Sequence, residues 1–187
     1  IFNKQPGDTL FLRGAYGKGW PVEQFAGKHV VLITGGTGLA PVKSMLNMFY
    51  DQPDFVKSVH LICGFKNEEG IIFKSDLERW KEKFNTIYAL DRDQKEGWST
   101  GFVTEFVDKI PFDSFDGNYA VVIVGPPPMM KFTGLKAVEE DVLRSRKMRT
   151  LPDRRGIRLS GRPGIQLYPG KISGGLRKGR IGYESRY

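Results

Sequence analysis

The sequence predicts an α/β fold built on a doubly wound parallel sheet. Four continuous apolar runs, at residues 29–34, 59–63, 86–90 and 119–124, are separated by stretches with helical periodicity. The first run closes on a glycine-rich turn at Gly35-Gly36. A strand buried on both faces reads as an unbroken apolar run, and repeated strand–helix units call for a parallel sheet covered on both sides.

Residues 1–25 hold several glycines and prolines around one short apolar stretch, Thr9-Leu10-Phe11-Leu12, which reads as a single strand with its loops. One strand has no stability alone, so this part is expected to complete a sheet whose other strands lie elsewhere. One α/β domain is expected over residues 26–140. Strand His29–Thr34 leads into a helix at Pro41–Phe49, and a second strand follows at Val59–Cys63. Phe73–Phe84 carries Phe73, Leu77, Trp80 and Phe84 at helical spacing, with Trp80 and Phe84 expected in the core. A third strand is expected at Thr86–Leu90, then a helix beginning at Phe102–Val107 that Pro111 stops. Tyr119–Val124 reads as the fourth strand and Met129–Glu140 as the last helix.

Charge separates the remaining segment from the rest. The chain of 187 residues carries a formal net charge of +8, yet residues 1–140 hold 16 Lys and Arg against 18 Asp and Glu. The basic excess therefore belongs to residues 141–187, which show no apolar periodicity and are expected to be disordered. A nucleic-acid arm is the sharper reading of such a tail, but the remainder shares no basic face with it, so no nucleic-acid partner is expected. No apolar run reaches the length needed to span a bilayer, so no membrane partner is expected either. The start at Ile1-Phe2-Asn3, without methionine or signal peptide, reads as a fragment, and a cytoplasmic location is expected.

Side chains for acid, base or nucleophilic chemistry do not converge, so no catalytic residue is assigned. One cysteine, Cys63, excludes an internal disulfide and a cysteine-ligated cluster in the chain as written. It sits in a predicted strand and reads as core packing. His29 and His60 lack ligand-spaced partners, so no metal site is assigned.

Two loops carry chemistry instead. Gly35-Gly36-Thr37-Gly38-Leu39-Ala40-Pro41 follows the first strand and opens a helix. Glycines there let the backbone approach a pyrophosphate, and the helix start supplies free N–H groups and partial positive charge. Pro41 suits a first helical turn, where its missing N–H costs nothing. A tight strand-to-helix turn without a ligand has the same composition. Val124-Gly125-Pro126-Pro127-Pro128-Met129-Met130 follows the fourth strand and reads as a rigid loop able to wall a flat ring, or simply as a proline-rich strand end.

These two motifs, in this order, resemble the ferredoxin–NADP reductase superfamily, in particular the electron-transfer subunits of anaerobic sulfite reductase, sulfhydrogenase and dihydroorotate dehydrogenase. Gly7-Asp8, the stretch Arg13–Trp20, Phe73-Lys74-Ser75-Asp76-Leu77, Leu90-Asp91-Arg92, Gly97-Trp98 and Gly101-Phe102-Val103-Thr104 follow the same pattern, so the resemblance covers residues 7–140. It implies a ferredoxin reductase-like NAD(P)-binding domain, with residues 1–25 as the remnant of a flavin β-barrel. It further implies that Gly35, Gly36, Thr37, Gly38, Leu39 and Pro41 hold the pyrophosphate. Gly125, Pro126, Pro127 and Met129 would line the nicotinamide end, with Phe65, Lys66, Asp91 and Arg92 at the adenosine half. Gly14, Tyr16 and Gly17 would face the flavin. NAD(P)H and FAD are the implied cofactors, and a catalytic or electron-accepting subunit of a reductase or hydrogenase complex is the implied partner. Asp91 would favour NAD and Lys66 with Arg92 would favour NADP, which leaves the choice open. Many relatives carry cysteine where this chain has Val124, and that departure bears on the hydride-transfer geometry.

Relatives of this branch end in a cysteine-rich segment that binds a [2Fe–2S] cluster. Read one base out of frame, residues 141–153 permit Met-Ser-Cys-Gly-Val-Gly-Lys-Cys-Gly-His-Cys-Arg-Ile, and residues 157–165 permit a fourth cysteine. Three cysteines close together and one distant match the spacing of the family's cluster ligands. The tail is therefore expected to be out of frame, with the cluster present only in an intact parent. A non-catalytic nucleotide-binding remnant, lacking flavin and cluster, is the competing reading.

Overall fold

The computed structural model describes residues 3–14 and 19–137. Five parallel strands form one sheet: β1 (His29–Gly35), β2 (Ser58–Phe65), β3 (Asn85–Leu90), β4 (Ser99–Thr100) and β5 (Tyr119–Val124), in the spatial order β4-β3-β2-β1-β5. The four apolar runs are thus strands, each within two residues of its expected end. β1 lies between β2 and β5, with Thr34 opposite Cys63 on one side and Val124 on the other.

The apolar runs are unbroken because both faces are covered. Val30 and Leu32 of β1 turn to one layer, where helix α1 (Leu39–Asp51) contributes Val42, Met45, Leu46 and Phe49 and helix α2 (Lys74–Trp80) contributes Leu77 and Trp80. Val31 and Ile33 turn to the other, against Phe106, Val107, Phe112 and Phe115. Cys63 lies in the first layer, accepting a 3.1 Å hydrogen bond from the Thr34 hydroxyl, and burial pushes its thiol up to about 12. It is a packing residue, as expected.

The structure corrects several expectations. Thr9–Leu12 forms no strand: among the described residues none pairs with it, and Phe11 and Leu12 are 95% and 92% exposed. An extended segment without a partner has nowhere to place its backbone hydrogen bonds except water. The Phe73–Phe84 helix is shorter, because Phe73 itself takes a left-handed conformation (φ 54°) and α2 starts after it. Beyond Trp80 the hydrogen bonds tighten to three-residue spacing, and Phe84 is still delivered to the core by its N–H bond to Trp80 O at 2.9 Å. The segment expected as a helix from Phe102 is a 3-10 helix, Val103–Lys109, ending before Pro111. Its Val103 methyl occupies the space a Cβ would need at Gly64 of β2. Two-residue β4 escaped the sequence because Ser99 and Thr100 carry no apolar pattern; only pairing with Ala89 and Leu90 defines it.

The last described helix, α3, occupies residues 127–137, so Pro127 and Pro128 lie in its first turn rather than in a loop. The whole of the basic tail, with its out-of-frame reading and cluster, lies outside the described residues. Among the described residues no helix is long and apolar enough to cross a membrane.

At the far end of the sheet, His29 stacks on Phe115 (ring centroids 4.5 Å apart) and shares a 2.8 Å hydrogen bond with Ser58 Oγ, while His60 tilts against the same ring at 5.1 Å. Burial lowers the pKa of both, helped by Lys57 at His29 and by His29 at His60. The unfolded chain therefore takes up protons before the folded one does. This contribution is complete above pH of about 6.5 and is lost as pH falls through the lowered folded values. Thermal midpoints measured from pH 7.5 downward are expected to fall below about pH 6.5, and His60→Gln should flatten that fall.

Candidate active site

The strand order reverses direction between β1 and β5. Chain connections run from β1 toward β2, β3 and β4 on one side, and β5 returns on the other. In open parallel sheets this switch point leaves a crevice at the carboxyl ends of the strands. Both glycine motifs emerge there. After β1, residues Gly36–Gly38 make a single 3-10 turn, with Gly36 at φ 55°, and α1 follows at once. After β5, Gly125 and Pro126 lead directly into α3.

The two loops meet backbone to backbone. A Cβ built on Gly38 would overlap the Val124 carbonyl oxygen and lie 2.8 Å from its carbon. A Cβ on Gly125 would lie 2.9 Å from Met129 Sδ, and one on Gly35 would overlap the same sulfur. The loops therefore approach as closely as they do because glycine stands at all three positions. A cleft of about 370 Å³ opens beside them, walled by Gly35, Thr37, Gly38, Pro41, Val124, Gly125 and Pro126.

The helix start at this cleft is electrostatically incomplete. No side chain caps α1 and no acidic residue lies in its first turn; the Leu39 N–H is met by the carbonyls of Gly36 and Thr37, so the helical path begins in the glycine turn itself. The first N–H groups of a helix need acceptors, and their partial positive charge attracts an anion. Trp20 holds the same turn from outside, donating its indole N–H to Pro41 O at 2.6 Å.

The remaining predicted residues divide. Leu39 and Phe65 are 0% and 2% exposed, so their side chains belong to the core and only their main chains border the site. Each stands at the end of its element, where the main chain passes from interior to surface. Lys66 and Arg92 are exposed, and Asp91 lies partly buried between the ends of β2 and β3, with its N–H bonded to Phe65 O at 3.0 Å. Burial raises the Asp91 pKa, against the pull of Arg92 and Lys66. Met129 is half-buried against the two glycines, and Pro127 begins α3. Gly14 is described and exposed; Tyr16 and Gly17 lie outside the described residues.

One candidate escaped the assignment of site residues. Phe102 is 55% exposed, although large aromatic rings are usually covered. The Gly101 N–H bonds Leu90 O at 2.9 Å, so Phe102 stands at the end of β3 next to Asp91. The sequence signal was Gly101 itself, whose φ of 128° turns the chain there. Among the described residues no three His, Cys, Asp or Glu side chains gather to hold a metal.

The family described as the oxidoreductase NAD-binding domain matches residues 32–134, the stretch that builds both loops. The chain belongs to this family. Its membership of the ferredoxin–NADP reductase superfamily, inferred from the two motifs, is borne out. The chain is 32% identical over 147 residues to the sulfhydrogenase 2 subunit gamma of Pyrococcus furiosus, covering 71% of this chain and 50% of that one. It is 33% identical over 137 residues to NADH-cytochrome b5 reductase 1 of Lodderomyces elongisporus, covering 70% and 45%. Among solved structures, the cytochrome b5 reductase domain of Ulva prolifera nitrate reductase superposes with a TM-score of 0.53 at 25% identity, over 61% of this chain and 44% of that one. The chain thus spans half or less of the length of these relatives.

The backbone contact at the cleft has a direct test. Gly38→Ala is expected to push the α1 turn away from Val124, lowering stability by about 1–3 kcal/mol by the usual cost of overpacking. Thermal unfolding of the purified variant measures this, and nucleotide affinity should fall with it.

Proposed function

We propose that this chain is the nicotinamide-dinucleotide half of a flavin-dependent electron-transfer component, passing hydride from NAD(P)H to FAD. One observation carries the reading: the start of α1, which no side chain caps, opens into a cleft at the β1–β5 switch point where Gly38 leaves no room for a Cβ against the Val124 main chain. A pyrophosphate supplies the acceptors and negative charge that this helix start lacks. The turn Gly36–Gly38 with Pro41 would hold it, and Gly125 and Pro126 would wall the nicotinamide ring. When bound, the dinucleotide supplies a hydride and the flavin accepts it. The chain's own task is to place the ring and exclude water, with no side chain acting as acid or base.

At the other end, Phe102 offers an exposed aromatic face for an adenine and Asp91 an acceptor for the ribose 2′-hydroxyl. Asp91 has its main chain fixed to β2, whereas Lys66 and Arg92 are exposed and screened by solvent. The carboxylate therefore weighs more against a 2′-phosphate than the two cations weigh for it, and NADH is the preferred form.

The likeness to a sulfhydrogenase gamma subunit supports a place in a larger complex. In the intact parent, electrons would continue to a [2Fe–2S] cluster and a partner subunit, and the location would be cytoplasmic. The alternative, a non-catalytic nucleotide-binding remnant, separates by experiment. Titration with NADH should saturate, and added FAD should then be reduced, as followed by loss of its visible absorbance. Binding without flavin reduction would favour the remnant, and no binding would remove both readings.

Two variants examine the adenosine end. Asp91→Ala should narrow the NADH preference by about tenfold, equivalent to ~1.4 kcal/mol. Phe102→Ala should weaken NADH binding by about 1–3 kcal/mol if a base stacks on the ring.

A further inference from the structure

The loops that follow β2 and β3 are tied together well beyond the end of their strand pairing. The Glu68 N–H donates to an Asp93 carboxylate oxygen at 3.3 Å, and the Thr100 hydroxyl donates to Asp93 O at 3.1 Å. The Glu68 side chain forms an ion pair with Lys95, whose own carbonyl accepts the Trp98 N–H at 3.0 Å. Trp98 in turn packs on Phe65 and Tyr88, with centroids 6.0 and 5.2 Å apart. The outer part of each loop is thereby referred back to the strand ends.

Charge makes Lys95 the pivotal member. The Asp93 carboxylate is held by the Glu68 main chain, so the Glu68 side chain is free to reach Lys95 on the opposite loop. Lys95 sits on Glu68 and holds its carboxyl below the usual range. Glu68 is exposed and Lys95 partly so, at 53% and 33% of their side chains. Exposed pairs contribute little to global stability, so the effect of this one is local, on the spacing of the two loops.

Those loops also carry Lys66, Asp91 and Arg92. We propose that Glu68 and Lys95 are positioning residues: their ion pair is a clasp that holds the loop at 66–70 against the loop at 91–98 at the separation an adenosine diphosphate moiety requires. The proposal rests on the nucleotide-site reading above and adds to it a pair of residues that need not touch the ligand.

The test uses the full chain and two probes, ADP-ribose for the adenosine half and reduced nicotinamide mononucleotide for the other. Glu68→Gln and Lys95→Met are each expected to weaken ADP-ribose binding by about three- to fivefold, the scale of an exposed ion pair. Mononucleotide affinity and thermal midpoint should stay at the wild-type values. The charge-swapped double variant, Glu68→Lys with Lys95→Glu, should regain most of the lost affinity. Single variants that bind ADP-ribose as wild type does, or a swap that stays as weak as the singles, would overturn the clasp. So would equal weakening of both probes together with a lower thermal midpoint, the pattern of a merely structural pair. A wild-type chain that binds neither probe would instead remove the nucleotide site itself.

Discussion

The whole arrangement turns on one close approach, between the Gly38 turn and the Val124 carbonyl. β1 and β5 are hydrogen-bonded neighbours, so the loops leaving them must diverge or touch. Here they touch, because Gly38 carries no Cβ to hold the Val124 carbonyl off, while the Met129 side chain fills the space that a Cβ at Gly35 or Gly125 would need. The helix α1 then starts with its N–H groups at the mouth of the crevice, and α3 starts beside it. The glycine cleft is thus shaped by backbone geometry rather than by a reactive side chain.

That geometry needs a rigid support, and the sheet supplies it. Three of its strands are hydrophobic on both faces over most of their length, which leaves α1 and α2 on one side and the Val103–Lys109 and Phe112–Phe115 turns on the other. Interiors packed at this density transmit rather than absorb displacement. Gly64 shows how closely the layers fit, since Val103 occupies the space above it. The Lys43–Asp76 ion pair and the Arg79 and Trp80 hydrogen bonds to Asn47 join α1 to α2 at the rim of the first layer.

The loops that follow β2 and β3 obey different physics. Their groups are charged and partly exposed, so their positions depend on mutual attraction and repulsion more than on packing. Asp91 beside Lys66 and Arg92, and Glu68 paired with Lys95, are two instances of this. Charged, exposed groups of this kind are screened by salt, whereas the packing beneath them is not.

The sheet, its two-sided cover and both glycine loops were legible in the residue order, because a doubly buried strand must be apolar throughout and a backbone cradle must be glycine. These signals are local and survive without knowledge of neighbours. Tertiary structure alone decided that Thr9–Leu12 is not a strand, that Ser99–Thr100 is one, and that Phe73 breaks its helix by turning left-handed. It also withdrew Phe65 and Leu39 into the core and left Phe102 exposed at the end of β3. The reason is common to all of these: strand pairing, burial and charge pairing are set by residues far apart in the chain, and no window of sequence contains both partners.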